Sequence, residues 1–170
     1  MKRTLAASSG LLALAATAAA QIPERLDRAL TAIYGRNEYA PDAFGPVLWI
    51  DNGSRYVTID QAGLTAHDTA SGATTLLATA AELRPAGPIA AASFSSDASQ
   101  VLLFTNTRKV WRLNTRGDYW VLDLRTHRLR QMGRDAQPST LMFAKFSPDG
   151  SLVAYVRQQN LYVEELPPAA

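Results

Sequence analysis

The chain has 170 residues, with 17 Lys and Arg against 15 Asp and Glu, and no cysteine. The missing cysteine excludes disulfides, a lipidated cysteine and cysteine–zinc sites, so packing alone must hold the fold. Once Lys2 and Arg3 are set aside the charge is balanced, so no nucleic-acid partner is expected.

At the N-terminus, Met1-Lys2-Arg3 precedes an uncharged Leu/Ala-rich run through Leu5, Leu11, Leu12 and Leu14, with small residues at Ala18 and Ala20. This is the pattern of a secretory signal peptide over 1–20, cut after Ala20. The run is too short for a stable membrane anchor, so the expected product is periplasmic or secreted. The remaining chain, about 150 residues, fits one domain. Within a lead-in over 21–45, Leu26, Leu30 and Ile33 lie four and three apart and predict one short amphipathic helix ending near Gly35.

Residues 46–170 read as strand and turn. "VLWID", "RYVTID", "VLLFTN", "DYWVLDL", "LVAYV" and "LYVEEL" are short runs of β-branched and aromatic residues, separated by "DNGS", "TASGA" and "SPDG". "FSSDASQVLLF" from Phe94 is repeated as "FSPDGSLVAYV" from Phe146, 52 positions on. Both predict strand, tight turn, strand; with Ser96 for Pro148 and Ala98 for Gly150, the earlier turn is expected to be the weaker. A second repeat relates "LTAHDTASGATTLL" from Leu64 to "YWVLDLRTHRLRQM" from Tyr119, with Asp68 and Asp123 in the same place and "LYVEEL" opening a third copy.

Two interleaved repeats, 52 and 55 positions apart, lie near the period of about 40–50 residues of four-stranded units and predict β-propeller blades, with a β-sandwich of similar hairpins as the alternative. The fold class is therefore all-β: a partial β-propeller of about two to three blades after one helix. Propellers close with about four to eight blades, so neighbouring faces and strand edges are expected to lie bare. The expectation is a truncated piece of a larger protein, the chain stopping at "ELPPAA" in mid-strand. Alternatively, it is an exported, non-enzymatic binding module that completes its fold as a homo-oligomer or on a partner.

"TNTRKVWRLNTRGDYWVLDL" (Thr105 to Leu124) and "PSTLMFAKFSPDGSLVAYVRQQNLYVEEL" (Pro138 to Leu166) resemble the N-terminal propeller of bacterial dipeptidyl peptidase IV-like serine peptidases of the prolyl oligopeptidase clan. "AIYGRNEYAPDAFGPVLWIDNGSRY" is similar to that family's first blade. The resemblance implies an eight-bladed cap over a C-terminal α/β-hydrolase domain, with peptide substrates bound between them. It implies release of N-terminal dipeptides with proline or alanine second, and no cofactor. It also implies that Arg112, in the Trp111-Arg112 step, projects into the cavity and hydrogen-bonds a substrate carbonyl with its planar guanidinium.

No G-x-S-x-G nucleophile elbow occurs in the sequence, so no catalytic residue is expected in this chain and it is predicted inactive alone. His67 and His127 read as solvated turn histidines, and Glu164-Glu165 as structural strand residues. Arg116-Gly117-Asp118 spells an adhesion tripeptide but reads as a turn into a strand, and Asn52-Gly53-Ser54 as a hairpin turn rather than a glycosylation site. Trp49, Trp111 and Trp120 are expected as packing anchors.

Overall fold

The structure, a computed structural model, describes residues 22–40 and 45–167. The signal peptide expected over 1–20 lies outside these residues. The chain divides into two compact units, Met1–Phe44 and Gly45–Ala170.

In the first unit, α1 (Glu24–Leu30) begins after Pro23, with Glu24 and Asp27 placed to favour its N-terminal dipole. It continues as one wider turn, Thr31–Gly35, in which Arg36 N donates to Thr31 O. The expected helix and its stop are present, while Leu26, Leu30 and Ile33 remain exposed.

The second unit contains three antiparallel sheets, arranged as successive propeller blades. Blade I is β1 (Leu48–Ile50), β2 (Arg55–Ile59), β3 (Gly63–Asp68) and β4 (Thr74–Thr79) in that order. A short helix, α2 (Ala80–Leu83), leads out of it. Thr79 and Glu82 form a capping box there: Glu82 N donates to Thr79 Oγ1 and Thr79 N donates to Glu82 Oε2. Blade II is β5 (Ile89–Phe94), β6 (Gln100–Val110), β7 (Leu113–Asp123) and β8 (Arg128–Gln131). Three strands make blade III among the described residues: β9 (Met142–Phe146), β10 (Leu152–Arg157) and β11 (Asn160–Glu165).

Successive strand residues point to opposite faces, and blade II is covered on both. Val101, Leu103 and Leu122 pack into a core with Val57, Leu64 and Ala66 of blade I. Their neighbours Leu102, Tyr119 and Val121 pack instead with Leu141, Val153 and Tyr155 toward blade III. This explains why "VLLF" is apolar without alternation. Blade I leaves Trp49, Ile59 and Leu76 exposed, and blade III leaves Phe143, Leu161 and Val163 exposed.

The first repeat forms the β5–β6 and β9–β10 hairpins, and the second forms β3–β4 and β7–β8. In the first, Ser99 N donates to Asp97 Oδ1 at 3.1 Å and Ser151 N donates to Asp149 Oδ1 at 3.1 Å. Ser95 and Ser147 hydroxyls donate to the same aspartates while accepting from Gln100 N and Leu152 N. Hydrogen bonds from Ser95 and Ser147 first, then from Ser99 and Ser151, hold both aspartates down at about 2. Ala98 adopts the left-handed φ of 53° that Gly150 adopts at 72°, so the earlier turn keeps its shape and carries the cost of a Cβ there. The two turns also touch: Ser96 Oγ donates to Pro148 O at 2.6 Å, and Gln100 Nε2 donates to Gly150 O at 3.4 Å. In the second repeat, Asp68 accepts from Ala70 N and Ser71 N, as Asp123 does from Arg125 N and Thr126 N.

Blades II and III are latched at their outer strands. Glu164 Oε1 accepts from Tyr155 OH at 2.8 Å and from Gly133 N at 2.7 Å, and its Oε2 accepts from Arg130 Nη2 at 2.9 Å. Arg130 Nη1 also donates to Glu165 O at 2.6 Å. Glu164 is thus structural, as expected. Burial first, then the bond to Glu164, push the Tyr155 phenol well above its ordinary value.

Candidate functional site: the β6–β7 arm

β6 and β7 each have 11 residues, against three to six for the other strands. Pairing of β6 with β5 ends at Thr105, and pairing of β7 with β8 begins at Trp120. Between these limits the two strands run on as a hairpin arm whose last pair is Val110–Leu113.

The base of the arm is clamped. Asp118 Oδ2 accepts from Asn106 Nδ2 and its Oδ1 from Ser139 N, both at 2.7 Å; Ser139 Oγ donates to Asn106 O at 2.5 Å. Asn106 (φ 43°) and Ser139 (φ 57°) are both left-handed, a conformation that asparagine adopts more readily than most and that costs a residue such as serine about 1–2 kcal/mol. Gly117 bridges to Leu141, donating to its carbonyl at 3.0 Å and accepting from its amide at 3.1 Å. A Cβ on Gly117 would stand 2.4 Å from the Phe104 ring and 2.6 Å from Thr105 O. Gly117 therefore lies within a strand at a close approach, where a turn was expected. Thr105 is fully buried beside it, and its Oγ1 has no hydrogen-bond partner among the described residues.

At the tip, Trp111 and Arg112 form the two-residue turn. Trp111 is left-handed (φ 60°) and 94% exposed, a conformation rare for an aromatic residue. Exposure corrects the expected packing role for Trp111, and likewise for Trp49, which meets the Tyr56 ring edge-on at 5.7 Å. Trp120, partly buried, does pack against the core between blades I and II. Arg112 is exposed and has no hydrogen bond or ion pair among the described residues.

The histidines lie apart from the arm. His67 belongs to β3 and is half-buried, stacked on Tyr56 at 4.7 Å with Nε2 2.9 Å from Thr58 Oγ1, which corrects the expected solvated turn position. His127 does occupy a turn, 3.0 Å from Glu82 Oε1. Asn52 (φ 53°) lies in the β1–β2 hairpin turn, as expected. A cavity of about 630 Å³ lies beside the Glu164 latch, lined by Leu129, Arg130 and Tyr155, and not by Arg112. The sequence reading missed the Asp118–Asn106–Ser139 clamp, because the left-handed backbones that close it carry no residue signature as strong as glycine.

Residues 95–169 match the family model of the dipeptidyl peptidase IV (DPP IV) N-terminal region. Probable dipeptidyl-aminopeptidase B of Trichophyton verrucosum is 35% identical over 72 residues, 42% of this chain and 8% of that protein. The Aspergillus oryzae protein of the same name is 32% identical over the same shares. The chain thus spans a small part of these curated relatives. The crystal structure of Porphyromonas gingivalis dipeptidyl peptidase 4 superposes with a TM-score of 0.67 at 24% identity, over 79% of this chain and 20% of that one, and supports the fold. Over residues 95–169 the chain therefore carries a DPP IV N-terminal-type region, folded as part of a β-propeller.

Proposed function

We propose that this chain is the propeller part of an exported dipeptidyl peptidase IV-like serine peptidase, non-catalytic by itself, whose Arg112 binds the backbone of the substrate peptide. The observation that carries this reading is the clamped arm inside the matched region, with Trp111-Arg112 at its tip. A strained turn is maintained where the surroundings over-determine it, and such places cluster at ligand sites. Among the described residues Arg112 has no hydrogen-bond or ion-pair partner, which leaves its guanidinium donors to a carbonyl oxygen. Hydrolysis by such enzymes needs an activated serine and an oxyanion hole, which the resemblance assigns to a C-terminal α/β-hydrolase domain.

The test is Arg112→Ala in the full-length enzyme assembled from the coding DNA. Loss of a charge-assisted hydrogen bond lowers kcat/KM by about 1.5–3 kcal/mol. Arg112→Lys keeps the charge without the planar fork and recovers only part of the activity. Equal, near-normal activity in both variants refutes the substrate contact. N-terminal sequencing of the exported product, with Gln21 first, tests the signal peptide.

A further inference from the structure

The arm carries more charge than one carbonyl contact requires. Between Thr105 and Gly117 stand Arg108, Lys109, Arg112 and Arg116 and no acidic residue, although the chain as a whole is nearly balanced. None of these four cations is ion-paired among the described residues, whereas Arg55, Arg130 and Arg157 each face a carboxylate. The neighbouring acid, Asp118, is occupied by Asn106 and Ser139.

The register places Arg108 directly opposite Arg116. Like charges directly opposite destabilise a strand pair, so this pairing works against the arm's own stability. Beyond Thr105 the outer edge of β6 has no partner strand among the described residues, and past Asn106, whose carbonyl accepts from Ser139, this edge suits an extended chain. Exposed Trp111 and Leu113 add apolar contact at the tip.

We infer that the β6–β7 arm is a docking surface for an extended acidic peptide, with Arg108 and Arg116 selecting acidic side chains downstream of the bound N-terminus. This deepens the peptide-binding reading of Arg112 by naming a substrate class. Four unpaired cations complement a run of carboxylates, and the open edge suits a polypeptide rather than a flat lipid surface.

The probes are two dye-labelled peptides, Ala-Pro followed by four glutamates and Ala-Pro followed by four glutamines, titrated against the full chain by fluorescence anisotropy. The glutamate peptide binds about tenfold tighter at low salt, and the preference shrinks when salt is raised to about 300 mM. The double variant Arg108→Gln, Arg116→Gln brings the two peptides to equal affinity, while its circular dichroism is unchanged and its melting temperature holds or rises. Equal affinity in the parent chain, or a preference that survives the double variant, overturns the inference. Capture by phosphatidylglycerol vesicles without peptide binding overturns it in favour of a membrane surface. Arg112→Ala separates the two readings: if the glutamine peptide is unaffected by it while the glutamate preference persists, the carbonyl contact fails and the acidic docking surface stands.

Discussion

Glu164→Ala should loosen blade III from blade II by an amount that the latch itself sets. The substitution removes the acceptor of two donors at once, the Tyr155 hydroxyl and the Gly133 amide, and Tyr155 is only 3% exposed. A stranded buried donor costs about 1–3 kcal/mol. The half-exposed pair with Arg130 adds about 0.2–1 kcal/mol. The adjoining cavity, about 630 Å³, admits water to the Glu164 end, which favours the lower half of the range, about 2–4 kcal/mol in all. Glu164→Gln keeps a carbonyl oxygen for Tyr155 and Gly133 and gives up only the ion pair, so it costs about 0.5–1 kcal/mol. Adding Tyr155→Phe to Glu164→Ala removes one stranded donor and recovers about 1 kcal/mol. Urea unfolding of the full chain gives these values, provided that m is unchanged across the variants. Equal small losses for Ala and Gln, or no recovery with Phe, would refute the claim that Glu164 works as a shared acceptor.

Gly117→Ala forces a methyl group against Thr105 O and the Phe104 ring and costs about 1–3 kcal/mol by overpacking; an unchanged urea midpoint would show that the approach is looser than described. Asp97 and Asp149 ionise at about 2 in the folded chain against an ordinary 3.8, so they stabilise it above that ordinary value and the benefit disappears as pH falls toward 2. Melting temperatures across this range should fall less steeply in an Asp97→Asn, Asp149→Asn double variant. Tyr155 is shifted the other way: its contribution is complete below the ordinary tyrosine pKa and is lost as pH rises above it, a loss that Tyr155→Phe should abolish in alkaline melts. The purified chain should release no dipeptide from Xaa-Pro substrates; turnover that survives repurification and disappears in His67→Ala or His127→Ala would contradict this.

The hairpins were legible because their signals are local. Asp97 and Asp149, like Asp68 and Asp123, bond amides two or three residues away, so each turn follows from a few adjacent side chains. The alternation of Val101, Leu102 and Leu103 between two cores is equally local once both faces are covered. The tip of the arm was legible only in part: Arg112 was singled out through resemblance, but nothing in the string marks Trp111 as exposed, since a tryptophan in a strand-rich segment usually packs. The clamp was not legible because Asn106, Asp118 and Ser139 meet across 33 positions and depend on backbone twists that only the assembled blades impose.

Ser96 and Pro148 occupy matching places in the two copies of the turn, as do Gln100 and Leu152. In each case only the member in blade II can donate, and the acceptor is a carbonyl of blade III. A flawless duplicate would put a second proline and a second leucine there, and both links across the seam would vanish. Beside the shared core and the Glu164 latch, the two turns touch through the very side chains in which they have diverged. A design that averaged the repeats toward one ideal unit would yield better individual turns and a weaker joint, so the imperfections at 96 and 100 act as fasteners.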